Sequence, residues 1–326
     1  MKILAYSHRK DETEYFKEFS KKYNVDIVLT DEEPNMETVN LIKGIEYISI
    51  ITTPIHEELL KKFKEYGVKF ISTRTIGYDH IDLENAKKLG IHIGNATYSP
   101  SSVADYAIMM ILMSVRKMKL ILDRSTVQDF SLNMVQGKEL KNLTVGVLGT
   151  GRIGETVIKH LSGFGCKIIA HDVYEKDTVK KYAEYKELDY VLKNSDILTF
   201  HMPATEDNYH IINKKTISEM KDNVFIINTS RGSLINTEDL IEGLEKGKIS
   251  GAALDVIENE SGLYYNDLKG QILENRHLAI LKSFPNVIVT PHTAFYTDQA
   301  VSDMVENSIK SILLFDQNKD NPWQVL

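Results

Sequence analysis

A chain of 326 residues, 42% apolar and 26% charged, has the composition of an ordinary soluble globular protein and a length that suits two domains. Its net charge of −7, without a dense Lys/Arg cluster, argues against nucleic acid or anionic membrane as a partner. The single cysteine, Cys166, excludes an intramolecular disulfide and reads as packing at a strand entrance. The opening MKILAYSHR enters a strand pattern at once and lacks the long apolar stretch and cleavage site of a secretory leader. The longest apolar run, 107–115 with Ser114 interrupting it, is too short to span a bilayer. A cytoplasmic protein is expected.

Strand-like and helix-like runs alternate almost throughout, which predicts parallel α/β architecture. The first strands are expected at 2–6, 26–29, 47–51, 69–72 and 92–94, with a helix over 57–66 stopped by Gly67. The turn Ile76-Gly77-Tyr78-Asp79 follows the fourth strand, and Asp79 or Asp82 can cap the next helix. A long helix is expected over 101–122, capped by Ser101 or Ser102. Its middle is apolar on every face, so it should be covered on every side. Either it is a central helix of its own domain, or a second subunit covers its outer face. The second reading predicts a homodimer with Met109, Met110 and Met113 near the two-fold contact.

The most informative stretch follows. A strand at 144–148 runs into Gly149-Thr150-Gly151-Arg152-Ile153-Gly154, a GxGxxG that opens an amphipathic helix with Ile153, Val157, Ile158 and Leu161 on one face. A second strand at 167–171 ends at Asp172. In that context the motif predicts a dinucleotide site. The first Gly permits the turn, the second lets backbone approach a pyrophosphate, and the third lets helix pack on strand. The helix N-terminus offers free N–H groups to the phosphates. Asp172 would accept from the ribose hydroxyls and repel a 2′-phosphate, so NAD is expected rather than NADP. Further strands are expected at 197–200, 224–228, 252–256 and 287–290, then a helix at 298–315 that returns the chain to the first domain. The expected architecture is two doubly wound parallel-sheet (Rossmann-like) domains. Residues 1–100 with 298–326 form a discontinuous substrate-binding domain, and 101–297 the NAD-binding domain.

Ligands of open α/β sheets bind beyond the carboxyl ends of the strands. Three such ends carry polar residues: Asn228-Thr229-Ser230-Arg231-Gly232, then Asp255 with Glu258 and Glu260, then Pro291-His292-Thr293-Ala294. Arg231 can grip a carboxylate with two N–H bonds. His292 can exchange a proton with a carbonyl or hydroxyl, and a neighbouring carboxylate would orient its ring. Each residue taken singly could instead serve a surface pair, a solvated loop or a cap. Jointly, beside a nucleotide fold, they point to hydride transfer to a 2-oxo acid, with no metal required.

Over nearly its whole length the chain resembles the D-2-hydroxyacid dehydrogenase family, in its D-lactate dehydrogenase branch. The resemblance rests on RTIGYDHIDL (74–83), YSPSSVADYA (98–107), VGVLGTGRIG (145–154), INTSRGSLINT (227–237), AALDVIENE (252–260) and VTPHTAFYT (289–297). It implies an active site in the cleft between two domains. There Arg231 would bind and polarise the 2-oxo acid, and Glu260 would support His292, the proton donor. The amides of Ile76 and Gly77 would hold the substrate carboxylate, with Tyr98, Phe295 and Ile51 around its side chain. Gly149, Gly151, Arg152, Ile153, Gly154, Asp172, Met202, Pro203, Asn208, Thr229, Ser230 and Asp255 would contact NAD. The segment Ile50-Ile51-Thr52-Thr53-Pro54 is more similar to D-2-hydroxyisocaproate dehydrogenases, which implies room for branched or longer substrates. YSPSSVADYA and RTIGYDHID are similar to the D-lactate dehydrogenases of vancomycin-resistance operons. The physiological 2-oxo acid stays open, a 2-hydroxyglutarate-type substrate included. A non-catalytic NAD-sensing protein and a formate or phosphoglycerate dehydrogenase share the fold; Glu260, where formate enzymes carry Gln, argues against the formate type.

Overall fold

Short runs, mostly rich in Ile, Val and Phe and most of them followed by a helix, build two separate parallel sheets. The computed structural model describes every residue except Ser261. The chain divides into one unit of Met1–Ser99 with Tyr296–Leu326 and another of Pro100–Phe295.

The first unit runs β1 (Lys2–Ala5), α1 (Thr13–Tyr23), β2 (Asp26–Leu29), β3 (Tyr47–Ile50), α2 (Glu57–Glu65), β4 (Phe70–Thr73), α3 (Leu83–Leu89) and β5 (His92–Gly94). Its strands pair in the order β2-β1-β3-β4-β5, all parallel. Alternate residues feed the two faces: Ile3 and Ala5 pack with Phe16 and Phe19, whereas Leu4 and Tyr6 pack with Ile48, Ile50 and Phe63. Asp82 caps α3, its carboxylate accepting the Asn85 N–H at 3.0 Å.

The second unit opens with α4 (Ser101–Val115) and α5 (Met118–Ser125), then β6 (Thr144–Leu148), α6 (Arg152–Ser162), β7 (Lys167–His171), α7 (Asp177–Lys180), β8 (Glu184–Tyr185), α8 (Leu188–Asn194) and β9 (Ile197–Phe200). It continues with α9 (Lys214–Glu219), β10 (Val224–Asn228), α10 (Thr237–Glu245), β11 (Ile249–Leu254), α11 (Arg276–Ser283) and β12 (Val287–Val289). The strand order β12-β11-β10-β9-β6-β7-β8 reverses direction between β9 and β6. That reversal is where a doubly wound sheet opens its ligand crevice. Val224 and Ile226 enter one core layer, Phe225 and Ile227 the other. α12 (Asp298–Asp316) belongs to the first unit, where Val305, Ile309 and Ile312 pack with β1 and α1.

Several expectations need correction. The helix expected over 101–122 is two helices, because Lys117 adopts a left-handed conformation (φ 53°) between α4 and α5. Pro100, not a serine, precedes the first turn of α4, a position suited to its fixed φ. Met110 is wholly buried among Val145, Val147 and Val157 of its own unit, while Met109 is 40% exposed. Met110 is therefore core and cannot lie at a two-fold surface. β11 begins at Ile249, three residues earlier than expected. Gly251 lies within the strand, where a Cβ would be 2.8 Å from the Asn286 carbonyl oxygen, so the close approach of that backbone requires glycine. The two-residue edge strand β8 has no periodicity to announce it.

Candidate active site

The glycine loop joins β6 to α6, and each glycine has its own reason. Gly149 has φ 92°, and a Cβ on it would lie 2.6 Å from the His201 backbone. A Cβ on Gly154 would lie 2.0 Å from the Gly149 carbonyl oxygen, so α6 packs directly on the turn. Nothing lies within 4 Å of a Cβ position on Gly151, at the N-terminus of α6. That leaves open space beside amides with no helical partner, as a pyrophosphate requires. Asp172 follows β7, and its Oδ2 accepts the Thr150 N–H at 2.5 Å and the Thr150 hydroxyl at 3.1 Å. Its Oδ1 accepts the Tyr174 N–H at 3.0 Å. Burial works against its charge, but these bonds outweigh it and hold the carboxyl below the usual range.

Two further turns border this loop. β9 delivers His201, Met202 and Pro203; the His201 ring meets the Thr199 hydroxyl at 2.9 Å, and burial pushes its imidazole down to about 3, so it is neutral. Asn208 Nδ2 donates to the Pro203 carbonyl at 2.8 Å. β10 delivers Thr229 and Ser230; the Ser230 hydroxyl donates to the Met202 carbonyl, joining the two turns. Thr229 Oγ1 is buried without a hydrogen-bond partner among the described residues. A buried orphan hydroxyl beside an open phosphate cradle fits a bound dinucleotide.

Arg231, Glu260 and His292 follow β10, β11 and β12, which are adjacent parallel strands, so all three emerge at one sheet edge. His292 Nδ1 lies 2.6 Å from Glu260 Oε1, and Glu260 Oε2 accepts the Ile257 N–H at 3.1 Å. His292 is left-handed at φ 53°, a conformation that costs a non-glycine residue about 1–2 kcal/mol. Asp255 supports it. The His292 N–H donates to the Asp255 carbonyl at 2.8 Å. The fully buried Asp255 carboxylate accepts Thr290 Oγ1 at 2.6 Å and the Thr293 and Ala294 amides at 2.9 Å. Asp255 thus fastens the His292 turn to β11. Arg231 Nη1 donates to the Ser230 carbonyl at 2.9 Å, while Asn228 Nδ2 holds the Arg231 carbonyl at 2.8 Å. Glu258, though only two residues from Glu260, faces His210 and Thr237 instead.

A triad of guanidinium, carboxylate and imidazole beside a dinucleotide cradle can bind a 2-oxo acid and protonate its carbonyl oxygen. Residues 108–294 match the model described as "D-isomer specific 2-hydroxyacid dehydrogenase, NAD binding domain". The chain is a D-isomer specific 2-hydroxyacid dehydrogenase. This dehydrogenase uses NAD. An aromatic 2-oxoacid reductase of Clostridium sporogenes is 47% identical to it, over 97% of this chain and 96% of that one. A D-lactate dehydrogenase of Lactiplantibacillus plantarum is 39% identical, over 95% of each. The solved structure of a D-2-hydroxyisocaproate dehydrogenase superposes with a TM-score of 0.91 at 35% identity, covering 100% of this chain and 99% of that one.

In the dehydrogenase's first unit, Ile76 and Gly77 follow β4. Their carbonyls are taken, by Asn95 Nδ2 at 2.8 Å and Thr75 Oγ1 at 2.6 Å. Among the described residues of that unit, no acceptor takes either N–H. Ile51, just past β3, is 9% exposed, and Tyr98 is half-buried. Phe295, half-buried, closes the second unit. Sequence reasoning missed Tyr265, whose hydroxyl donates to the His292 carbonyl at 2.7 Å. It lies 27 residues from His292 on an irregular loop, where no spacing rule reaches. His201 was missed too, although it stands directly at a strand end, the position that singled out the others. Among the described residues no helix is long and apolar enough to cross a membrane.

Proposed function

We propose that this dehydrogenase reduces 2-oxo acids with apolar side chains, pyruvate among them, and that His292 gives the proton. The observation that carries the reading is the 2.6 Å bond from His292 Nδ1 to Glu260. It commits Nδ1 to the carboxylate and leaves Nε2 to meet a substrate oxygen. NADH, when bound, supplies the hydride. Arg231 then holds and polarises the 2-oxo acid, and the amides of Ile76 and Gly77 take its carboxylate. Their lack of an acceptor within the unit supports that role. Gly149, Gly151, Arg152, Ile153, Gly154, Asp172, Met202, Pro203, Asn208, Thr229, Ser230 and Asp255 line the cofactor. On this reading the first unit binds substrate and the second binds NAD.

Ile51, Tyr98 and Phe295 receive the substrate's side chain. Apolar walls disfavour a second carboxylate, which would lose hydration without a partner. Each methylene that fits contributes ~0.8 kcal/mol. The names of the Clostridium and hydroxyisocaproate relatives favour side chains larger than methyl. NADH oxidation with pyruvate, 2-oxoisocaproate, phenylpyruvate and oxaloacetate tests the reading. Turnover is expected with the first three, and kcat/KM at least tenfold lower with oxaloacetate. Oxaloacetate as the best substrate would overturn it.

The proposed assembly is a homodimer, and the proposed compartment is the cytoplasm, with its shared pool of NADH. Support for a partner surface comes from the segment after α5, where Val127, Phe130, Leu132 and Met134 are 75%, 78%, 87% and 72% exposed. Arg124 ties the segment to α5, bonding Asp129 at 2.7 Å and the Asn133 carbonyl at 2.5 Å. A second copy covering these side chains and Met109 is the reading that replaces contact at Met110.

A further inference from the structure

Glu258 is a charged strand-end residue that proton transfer does not use. Its Oε1 lies 2.6 Å from His210 Nε2, and the two side chains are only 17% and 22% exposed. Its Oε2 accepts the Thr237 N–H at 2.9 Å and the Thr237 hydroxyl at 2.6 Å. Thr237 opens α10, so the carboxylate sits at a helix end that favours negative charge. Asn236 Nδ2 faces His210 Nδ1 at 3.3 Å, which assigns the His210 proton to Nε2, directed at Glu258. Burial works against the Glu258 charge, but the Thr237 and His210 bonds outweigh it and hold its carboxyl below the usual range.

The same loop is fixed on its other side. A Cβ on Gly232 would lie 2.1 Å from the Ile257 carbonyl carbon and 2.5 Å from the Glu258 nitrogen. The turn bearing Arg231 is thus pressed on the loop bearing Glu260. His210 is anchored in turn, its N–H donating to Ser233 O and its carbonyl accepting from Asn213 Nδ2, at 2.9 and 2.8 Å. Within the loop, the Ile257 N–H reaches Glu260 Oε2.

We propose that Glu258, clamped by Thr237 and His210, is a positioning residue: it fixes the loop that presents Glu260 and, through Glu260, the orientation of the His292 ring. The assignment rests on His292 as proton donor. Capping of α10 alone would need only Oε2 and would leave the chemical step untouched.

The test compares Glu258→Ala, Glu258→Gln and Thr237→Val with the unmodified full chain. The readouts are kcat with pyruvate, NADH affinity by fluorescence, the primary isotope effect with 4-deuterated NADH, and amide exchange over 255–260. Glu258→Ala is expected to lower kcat at least tenfold, keep NADH affinity within twofold, raise the isotope effect and speed exchange at 257–260. Glu258→Gln should recover part of kcat, since its amide oxygen still accepts from Thr237. Thr237→Val, which removes only the hydroxyl bond, should fall between, and it carries the test should Glu258→Ala not fold. An unchanged isotope effect, or equal losses of kcat and NADH affinity, would reduce Glu258 to ordinary structural support. The reaction assignment fails separately, as no turnover of any 2-oxo acid by the unmodified protein. Exchange then decides the clamp alone: unaltered protection at 257–260 in Glu258→Ala overturns it.

Discussion

Asp172 Oδ2 accepts both donors of Thr150, so the acid proposed to discriminate between cofactors also ties down the glycine loop. Its charge facing a 2′-phosphate should favour NADH over NADPH by ~2 kcal/mol or more, about 30-fold in kcat/KM. Asp172→Asn keeps an acceptor for Thr150 and removes the charge. It is expected to bring the preference below about fivefold, whereas Asp172→Ala would also loosen the loop. Equal kcat/KM for both cofactors in the unmodified protein would contradict this. As the proposed proton donor, His292 would serve reduction protonated and oxidation neutral, so the rates in the two directions are expected to respond to pH in opposite senses. His292→Ala should cost roughly 10³-fold in kcat with NADH affinity within twofold. Parallel pH profiles in the two directions would remove His292 from the mechanism. The strand-end logic brought out Arg231, Glu260 and His292 because their residue types follow apolar strands. It could not separate Glu258 from Glu260, since two carboxylates two residues apart look alike until their partners are seen.

The elements were legible where periodicity is strong and obscure where one residue decides. β6, β7, β9 and β10 have the expected bounds because each is an apolar run ended by polar or glycine residues. The break between α4 and α5 turns on Lys117, whose left-handed φ no pattern of apolar residues foretells. α12 shows the same dependence on long-range contact: beside its apolar packing on α1, Glu306 is hydrogen-bonded by Lys22 at 2.7 Å and Tyr23 at 2.6 Å of α1 and paired with Lys310 of its own helix at 3.0 Å. Burial works against the Glu306 charge, but these partners outweigh it and hold its carboxyl at about 2. A depressed folded value contributes stability above the unfolded value, near ~4.3, and loses it as pH falls through about 2. Glu306→Gln should therefore cost about 1 kcal/mol at pH 7, allowing for solvent screening, and little near pH 2. Denaturant melts of both proteins across that range would show it. A constant difference at all pH values would contradict the assignment.

At the scale of the molecule, an all-apolar helix could not reveal how many of its faces its own domain would cover. α4 spends Met110 on the core and leaves Met109 outside, so the proposed two-fold contact draws on Met109 and the exposed segment after α5. Replacing Phe130 and Leu132 together by Asp should give monomers at micromolar concentration, with the core of the second unit intact. Light scattering with a thermal melt separates this from unfolding. A dimer that survives both substitutions would place the interface elsewhere.

The central claim is that Arg231, Glu260 and His292 act with NADH to reduce a 2-oxo acid on one face. The most direct measurement is chiral chromatography of the product formed from pyruvate or 2-oxoisocaproate with NADH, for the unmodified protein and His292→Ala side by side. The expected result is the D-2-hydroxy acid alone, formed rapidly by the unmodified protein and scarcely at all by the variant. An L-product, a racemate, or near-normal turnover by His292→Ala would contradict the account.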